Sequence, residues 1–183
     1  MRRWIVVTSA LLGVFVATRA ESQRLLSVGL GGGVSLPQGD LRDAATTGWN
    51  ALATLVLSTP MQPLGLRADV AYNQFSLDEA TTGAVLGASG HENIGSATLN
   101  ATYRLPTPGS PASPYLIAGL GAYRTDCSVR AACAADTRFG WNVGLSTKLY
   151  VLGFRSFLEA RYHRAKANGA SVNYFPVTLG LMF

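Results

Sequence analysis

The sequence predicts an all-β fold, an eight-stranded antiparallel up-and-down transmembrane β-barrel, and three observations carry that prediction. In the last ten residues Phe175, Val177, Leu179, Leu181 and Phe183 share one wholly apolar face, opposite Tyr174, Pro176, Thr178, Gly180 and Met182. The same period of two recurs upstream, in segments joined by connections that alternate between short and long. Past residue 20 no apolar run is long enough for a spanning helix. A bilayer can then be crossed only by a closed barrel, which satisfies every backbone group internally.

The N-terminus is set apart from this pattern. Arg2 and Arg3 precede an apolar run from Trp4 to Val16, and Thr18-Arg19-Ala20 supplies small residues at positions −3 and −1 of a cleavage site. This predicts a secretory signal peptide over residues 1–20 and a barrel over 21–183. A membrane anchor would need about 20 apolar residues, and Arg19 closes this run early. Cleavage removes three of the 15 basic residues against 10 acidic ones, so the balance falls to +2 and no nucleic-acid partner is implied.

Strands are expected, in order, over Leu25 to Leu36, Trp49 to Ser58, Leu64 to Phe75, Asn93 to Leu105, Tyr115 to Arg124, Arg138 to Val151, Phe154 to Ala165 and Tyr174 to Phe183. In the third, Leu64, Leu66, Ala68, Val70 and Tyr72 oppose Gly65, Arg67, Asp69, Ala71 and Asn73. The fourth sets Ala97, Leu99, Ala101, Tyr103 and Leu105 against Ser96, Thr98, Asn100, Thr102 and Arg104. The sixth sets Phe139, Trp141, Val143 and Leu145 against Arg138, Gly140, Asn142 and Gly144. The seventh sets Phe154, Leu158, Ala160 and Tyr162 against Arg155, Glu159, Arg161 and His163. Glycine and alanine blur the two faces of the first, second and fifth strands.

Short connections at Thr59 to Pro63, Pro106 to Pro114 and Leu152-Gly153 belong to one end of the barrel. Longer, more polar ones at Pro37 to Gly48, Leu77 to Glu92, Asp126 to Thr137 and Lys166 to Val172 belong to the other, which marks them as outward loops and puts both termini on the inner side.

A soluble barrel also alternates, with its apolar face inward. Two features favour the inverted arrangement. Aromatics of the apolar face gather at strand ends, Trp49, Tyr72, Trp141, Tyr162 and Phe175 toward the loops and Tyr103, Phe154 and Phe183 toward the turns, as at two bilayer interfaces. The polar face combines Gly, Ser, Thr and Asn with charges of both signs: Arg67, Asp69, Arg104, Lys148, Arg155, Glu159 and Arg161, with His163 beside them. Small residues in a narrow lumen leave room for long charged ones to pair across it.

A terminal strand with this apolar face, ending on Phe183, resembles that of the small eight-stranded outer-membrane β-barrel proteins typified by OmpA, OmpX and OmpW. The resemblance covers nearly the whole mature chain and is one of pattern. It implies location in the cell outer membrane after export, recognition of Phe175, Val177, Leu179, Leu181 and Phe183 by the barrel assembly machinery, and outer-membrane lipid, including lipopolysaccharide, as surroundings. Arg124, Arg130, Arg138, Arg164 and Lys166 gather near the outer rim, where they are candidates to pair with lipopolysaccharide phosphates or to form a solvated rim.

Other motifs carry less. Cys127 and Cys133 fall in one outward loop of an exported chain, which favours a disulfide stabilising by about 2 to 3 kcal/mol. A metal site would need more ligands than two thiols. The run Gly29 to Gly33 lacks the following helix of a phosphate loop, since Pro37 and Gly39 turn the chain, and reads as strand glycines beside the lumen. His163 with Glu159 and Arg161 suggests acid and base roles, but it lacks the His-x-Ser spacing of barrel-embedded lipid A deacylases and faces the lumen. The expected protein is therefore non-enzymatic and without a cofactor, with a structural, adhesive or envelope-stabilising role through its loops. A narrow channel for small or hydrophobic solutes is the alternative, and a lipid-modifying enzyme is a remoter one.

Overall fold

The computed structural model describes residues 26–58, 61–77, 90–108, 112–127, 136–151, 153–166 and 171–183. Residues 1–20, the expected leader, lie outside them. Period-two alternation produces eight strands: β1 Leu26–Gln38, β2 Gly48–Ser58, β3 Leu64–Ser76, β4 His91–Arg104, β5 Ser113–Cys127, β6 Asp136–Val151, β7 Phe154–Lys166 and β8 Ser171–Met182. Each pairs antiparallel with its sequence neighbours, and β8 returns to β1, so the sheet closes with no free edge. Phe183 extends the closing ladder, its N–H donating to Val28 O at 2.7 Å and its carbonyl accepting from Val28 N–H at 3.2 Å.

Following the register once around the barrel gives its tilt. Val28 pairs with Leu55, and the path continues through Ala68, Leu99, Leu120, Trp141, Arg164 and Asn173 to re-enter β1 at Gln38. A stagger of ten residues around eight strands, at about 3.3 Å per residue and about 4.8 Å between strands, corresponds to a tilt of about 40°. Strands of 11 to 16 residues then exceed the roughly 9 to 11 needed to cross hydrocarbon.

Burial is inverted relative to a soluble barrel. Outward positions are apolar and exposed, among them Leu30, Leu55, Val70, Leu99, Leu120 and Leu179, while Arg67, Asp69, Asn100, Asn142, Glu159 and Arg161 are buried inside. Among the described residues the charged side chains on the outward phase of the strands are Arg124, Asp126, Arg164 and Lys166, all at the loop end. Above the apolar band, Trp49 lies 5.5 Å from Tyr72 and Trp141 lies 5.7 Å from Tyr162, ring centre to ring centre. Trp49 Nε1 donates to Gln74 Oε1 at 2.9 Å, so the ring is apolar at one end and hydrogen-bonded at the other, as an interfacial tryptophan requires.

The three blurred strands now have definite faces. β1 turns Val28, Leu30 and Val34 out, β2 turns Trp49, Leu55 and Leu57 out, and β5 turns Leu116 and Leu120 out. Strands also run past the expected loop boundaries: β4 begins at His91, β6 at Asp136 and β8 at Ser171, because the backbone ladder continues after the apolar band has ended. The first outward loop holds a helical turn, α1 Asp40–Ala44, that the sequence pattern did not suggest. Leu41 is buried there against the barrel mouth.

Candidate functional site

The lumen is the place where this chain gathers polar chemistry, and its centre is built by two facing strands. β3 and β7 lie four places apart in a ring of eight and run in the same direction, so their inward residues meet across the barrel. Going from turn end to loop end, β3 presents Arg67 then Asp69, and β7 presents Glu159 then Arg161. The charge order is reversed between them, so each level of the lumen brings opposite charges together.

The contacts form a closed ring. Arg67 Nε donates to Asp69 Oδ1 at 2.7 Å, and its two terminal nitrogens hold both oxygens of Glu159, the Nη2–Oε1 bond being 3.2 Å. Arg161 Nη1 donates to Asp69 Oδ2 at 2.9 Å, and its Nε lies 2.6 Å from Glu159 Oε1. All four side chains are 1–3% exposed. Two positive and two negative groups therefore balance in a volume with little access to water, the condition under which buried ions are tolerated. Asn100 Nδ2 donates to Asp69 Oδ2 and Asn142 Nδ2 to Asn100 Oδ1, both at 2.8 Å, and Tyr115 Oη accepts from Arg67 Nη1 at 3.3 Å. These neutral groups fill hydrogen-bonding capacity that the ion pairs leave.

Apolar layers stand on either side. Toward the loops, Leu41, Phe75, Ile94, Tyr123, Ala165 and Tyr174 pack together. Toward the turns, Leu52, Val56, Phe157 and Met182 do the same. Gly180 makes the second layer possible, because a Cβ there would collide with the Phe157 ring and with Leu30 O.

The eight polar residues singled out in the lumen thus divide. Arg67, Asp69, Glu159 and Arg161 form the ring. His163 sits above it, 2% exposed, with its Nδ1 3.0 Å from the Tyr123 hydroxyl and its ring stacked 4.8 Å from Tyr174. It lies beneath the loop-end apolar layer and is turned away from the lipid face. Arg104, Lys148 and Arg155 lie at the turn end, where Lys148 Nζ stands 5.7 Å from the centre of the Tyr115 ring. The pairing of the ring was not legible in any one strand. Its signal was the two i, i+2 charge pairs of reversed order on strands four apart.

At the outer rim Arg124, Arg164 and Lys166 are exposed on the outward phase, beside Phe139 and Trp141. Arg138 is on the inward phase, half-buried, and donates from Nε to Asp136 Oδ2 at 2.7 Å. Cys127 ends β5, whereas Cys133 and Arg130 lie outside the described residues. In β8, Phe175, Val177, Leu179, Leu181 and the following Phe183 all take the outward phase. Among the described residues no group of His, Cys, Asp and Glu is placed to hold a metal.

A closed antiparallel barrel with a polar, charge-balanced interior and an apolar exterior banded by aromatics is a transmembrane barrel of the outer-membrane kind. Residues 7–183 match the family described as outer membrane protein beta-barrel domain. The chain belongs to that family. In fold it is similar to Neisserial surface protein A (NspA), with 17% identity, a TM-score of 0.62, and 88% of this chain and 98% of that one covered. Ail, the attachment invasion locus protein of Yersinia pestis, is 15% identical with a TM-score of 0.50 over 86% of this chain and 97% of its own. The N-terminal β-barrel domain of Pseudomonas aeruginosa OprF is 16% identical, also with a TM-score of 0.50, over 86% and 97%. No curated protein matches the chain in sequence.

Proposed function

We propose that this is a non-enzymatic, non-conducting outer-membrane barrel whose role is structural, adhesive or envelope-stabilising and is exerted through its outward loops. The observation that carries this reading is the filled lumen: an aromatic layer, the Arg67–Asp69–Glu159–Arg161 ring and the Phe157 layer succeed one another along the axis. A structural envelope role also fits the family, and Ail, which shares the fold, is an attachment invasion locus protein. Planar-bilayer recording tests it. The expected trace is silent, and large reproducible conductance steps would replace this reading with a solute channel.

The accompanying partners follow from the same reading. Residues 1–20 are removed on export, the outward face of β8 with Phe183 is presented to the assembly machinery, and Cys127 and Cys133 join in a loop disulfide. Arg124, Arg164 and Lys166, beside exposed aromatics at the lipid boundary, suit pairing with lipopolysaccharide phosphates. Reversing the charge of Arg124 and Arg164 together is expected to reduce co-purifying lipopolysaccharide. Unchanged co-purification would end that part of the proposal.

A further inference from the structure

The lipid-facing side of the barrel is not uniformly smooth. An open hollow of about 590 Å³ lies across β2 to β5, floored by Ala68 and Ala97 and walled by Leu55 and Val70 on one side and Leu99 and Leu120 on the other. Its direction follows from the register. Ala97 pairs with Val70, two residues loopward of Ala68, and Arg124 pairs with Gly95, two residues loopward of Ala97. Each step from Ala68 to Ala97 to Arg124 crosses one strand, about 4.8 Å, and climbs two residues, about 6.6 Å. The register path itself climbs toward the loops from β1 to β8, since it leaves β1 at Val28 and returns at Gln38. A slope of about 36° to the strands therefore offsets their tilt of about 40°. The hollow runs parallel to the barrel axis, as the surrounding lipid chains do.

The loopward end of the hollow has a polar head. Gly95 keeps it open, because a Cβ there would meet nothing nearer than Arg124 O at 4.0 Å. The Arg124 side chain is exposed beside this gap. One outward position further along β4, Asn93 Oδ1 accepts from Gln74 Nε2 at 3.1 Å, which orients the amide with Nδ2 as its donating end. Gln74 is itself held by Trp49 Nε1 at 2.9 Å. Asp126, in register with Asn93, is exposed, so solvent screens its charge.

The bilayer is as apolar as the hollow, so apolar transfer alone draws no chain into it. Close packing along the walls and a charge-assisted hydrogen bond at the head can select one. A phosphorylated lipid offers both. A second copy related by a two-fold axis through the hollow would instead set Arg124 against its own copy. We propose that the hollow seats one acyl chain of lipopolysaccharide, with a lipid A phosphate held by Arg124 and Asn93. The seat rests on the lipopolysaccharide reading of the rim and adds to it a chain site on β2 to β5, apart from Arg164 and Lys166 on β7.

The test follows amide shifts of the mature barrel in maltoside micelles into which purified lipid A is titrated. Ala68, Gly95 and Ala97 report the hollow, and Arg164 and Lys166 report the rim. Both sets are expected to saturate. Ala97→Phe fills the hollow without removing a charge, and is expected to weaken the response of the hollow by at least about fivefold while leaving that of the rim unchanged. Saturation at the rim alone, or a hollow response unaltered in Ala97→Phe, overturns the seat and leaves the rim reading standing. Saturation at neither overturns both. An equal response of the hollow to lipid A stripped of its phosphates overturns the seat by removing its head contact. Shifts that follow protein concentration instead of lipid A mark a self-association face and overturn it as well. A changed gel mobility on boiling verifies that the variant is folded. Should it not fold, Ala68→Phe takes its place with the same outcomes.

Discussion

The ring of Arg67, Asp69, Glu159 and Arg161 and the mouth of Arg104, Lys148 and Arg155 share one lumen, yet they meet the problem of charge in a narrow space differently. In the ring every guanidinium touches both carboxylates and every carboxylate both guanidiniums, with side chains 1–3% exposed. At the mouth Arg104 is exposed and Lys148 and Arg155 are only partly buried. Where water is excluded, charge has to be balanced locally. Where water enters, solvent screens the charges and like ones can coexist on one rim.

That contrast is easiest to break at the ring. Glu159→Gln leaves two guanidiniums facing one carboxylate and is expected to destabilise the barrel by about 3–5 kcal/mol, read by urea unfolding in lipid vesicles. Replacing all four members together, as Arg67→Met, Asp69→Leu, Glu159→Leu and Arg161→Met, is expected to recover most of that loss, because desolvation is removed along with attraction. A quadruple variant weaker than the single one would show that the ring holds more than its own balance.

A smaller effect is expected one layer below. Gly180→Val forces the Phe157 ring from its place and should cost about 1–3 kcal/mol in the same unfolding experiment. The smallest belongs to the mouth. Arg155→Gln should change stability by less than about 0.5 kcal/mol, since solvent already screens this site. A loss comparable to that of Glu159→Gln would mean the mouth is structural and would erase the distinction.

How much of this was readable in the chain depends on side-chain size. β3, β4, β6 and β7 declared their faces because large apolar residues alternate with Arg, Asn, Glu or Lys. β1 did not, because Gly29, Gly31 and Gly33 on the inside and Gly32 on the outside look alike. β2 misleads for another reason: Leu52 and Val56 point inward, where they pack on Phe157, so apolar residues occupy both faces. The members of the ring were visible as lumen charges, but their partners were not, since Arg67 and Glu159 are 92 positions apart and meet only after closure. α1 was hidden because five residues are too few to show a helical period.

The reversed charge order on β3 and β7 has a further consequence, for counting. Staves four apart stand opposite each other only when the ring contains eight. With ten, β3 and β7 would no longer be diametric and the pairs would be pulled out of reach. A slip of β7 by two residues against β3 would set Arg67 against Arg161. The four charges therefore act as a checksum on assembly: strand number and axial alignment must both be right before the ring can form.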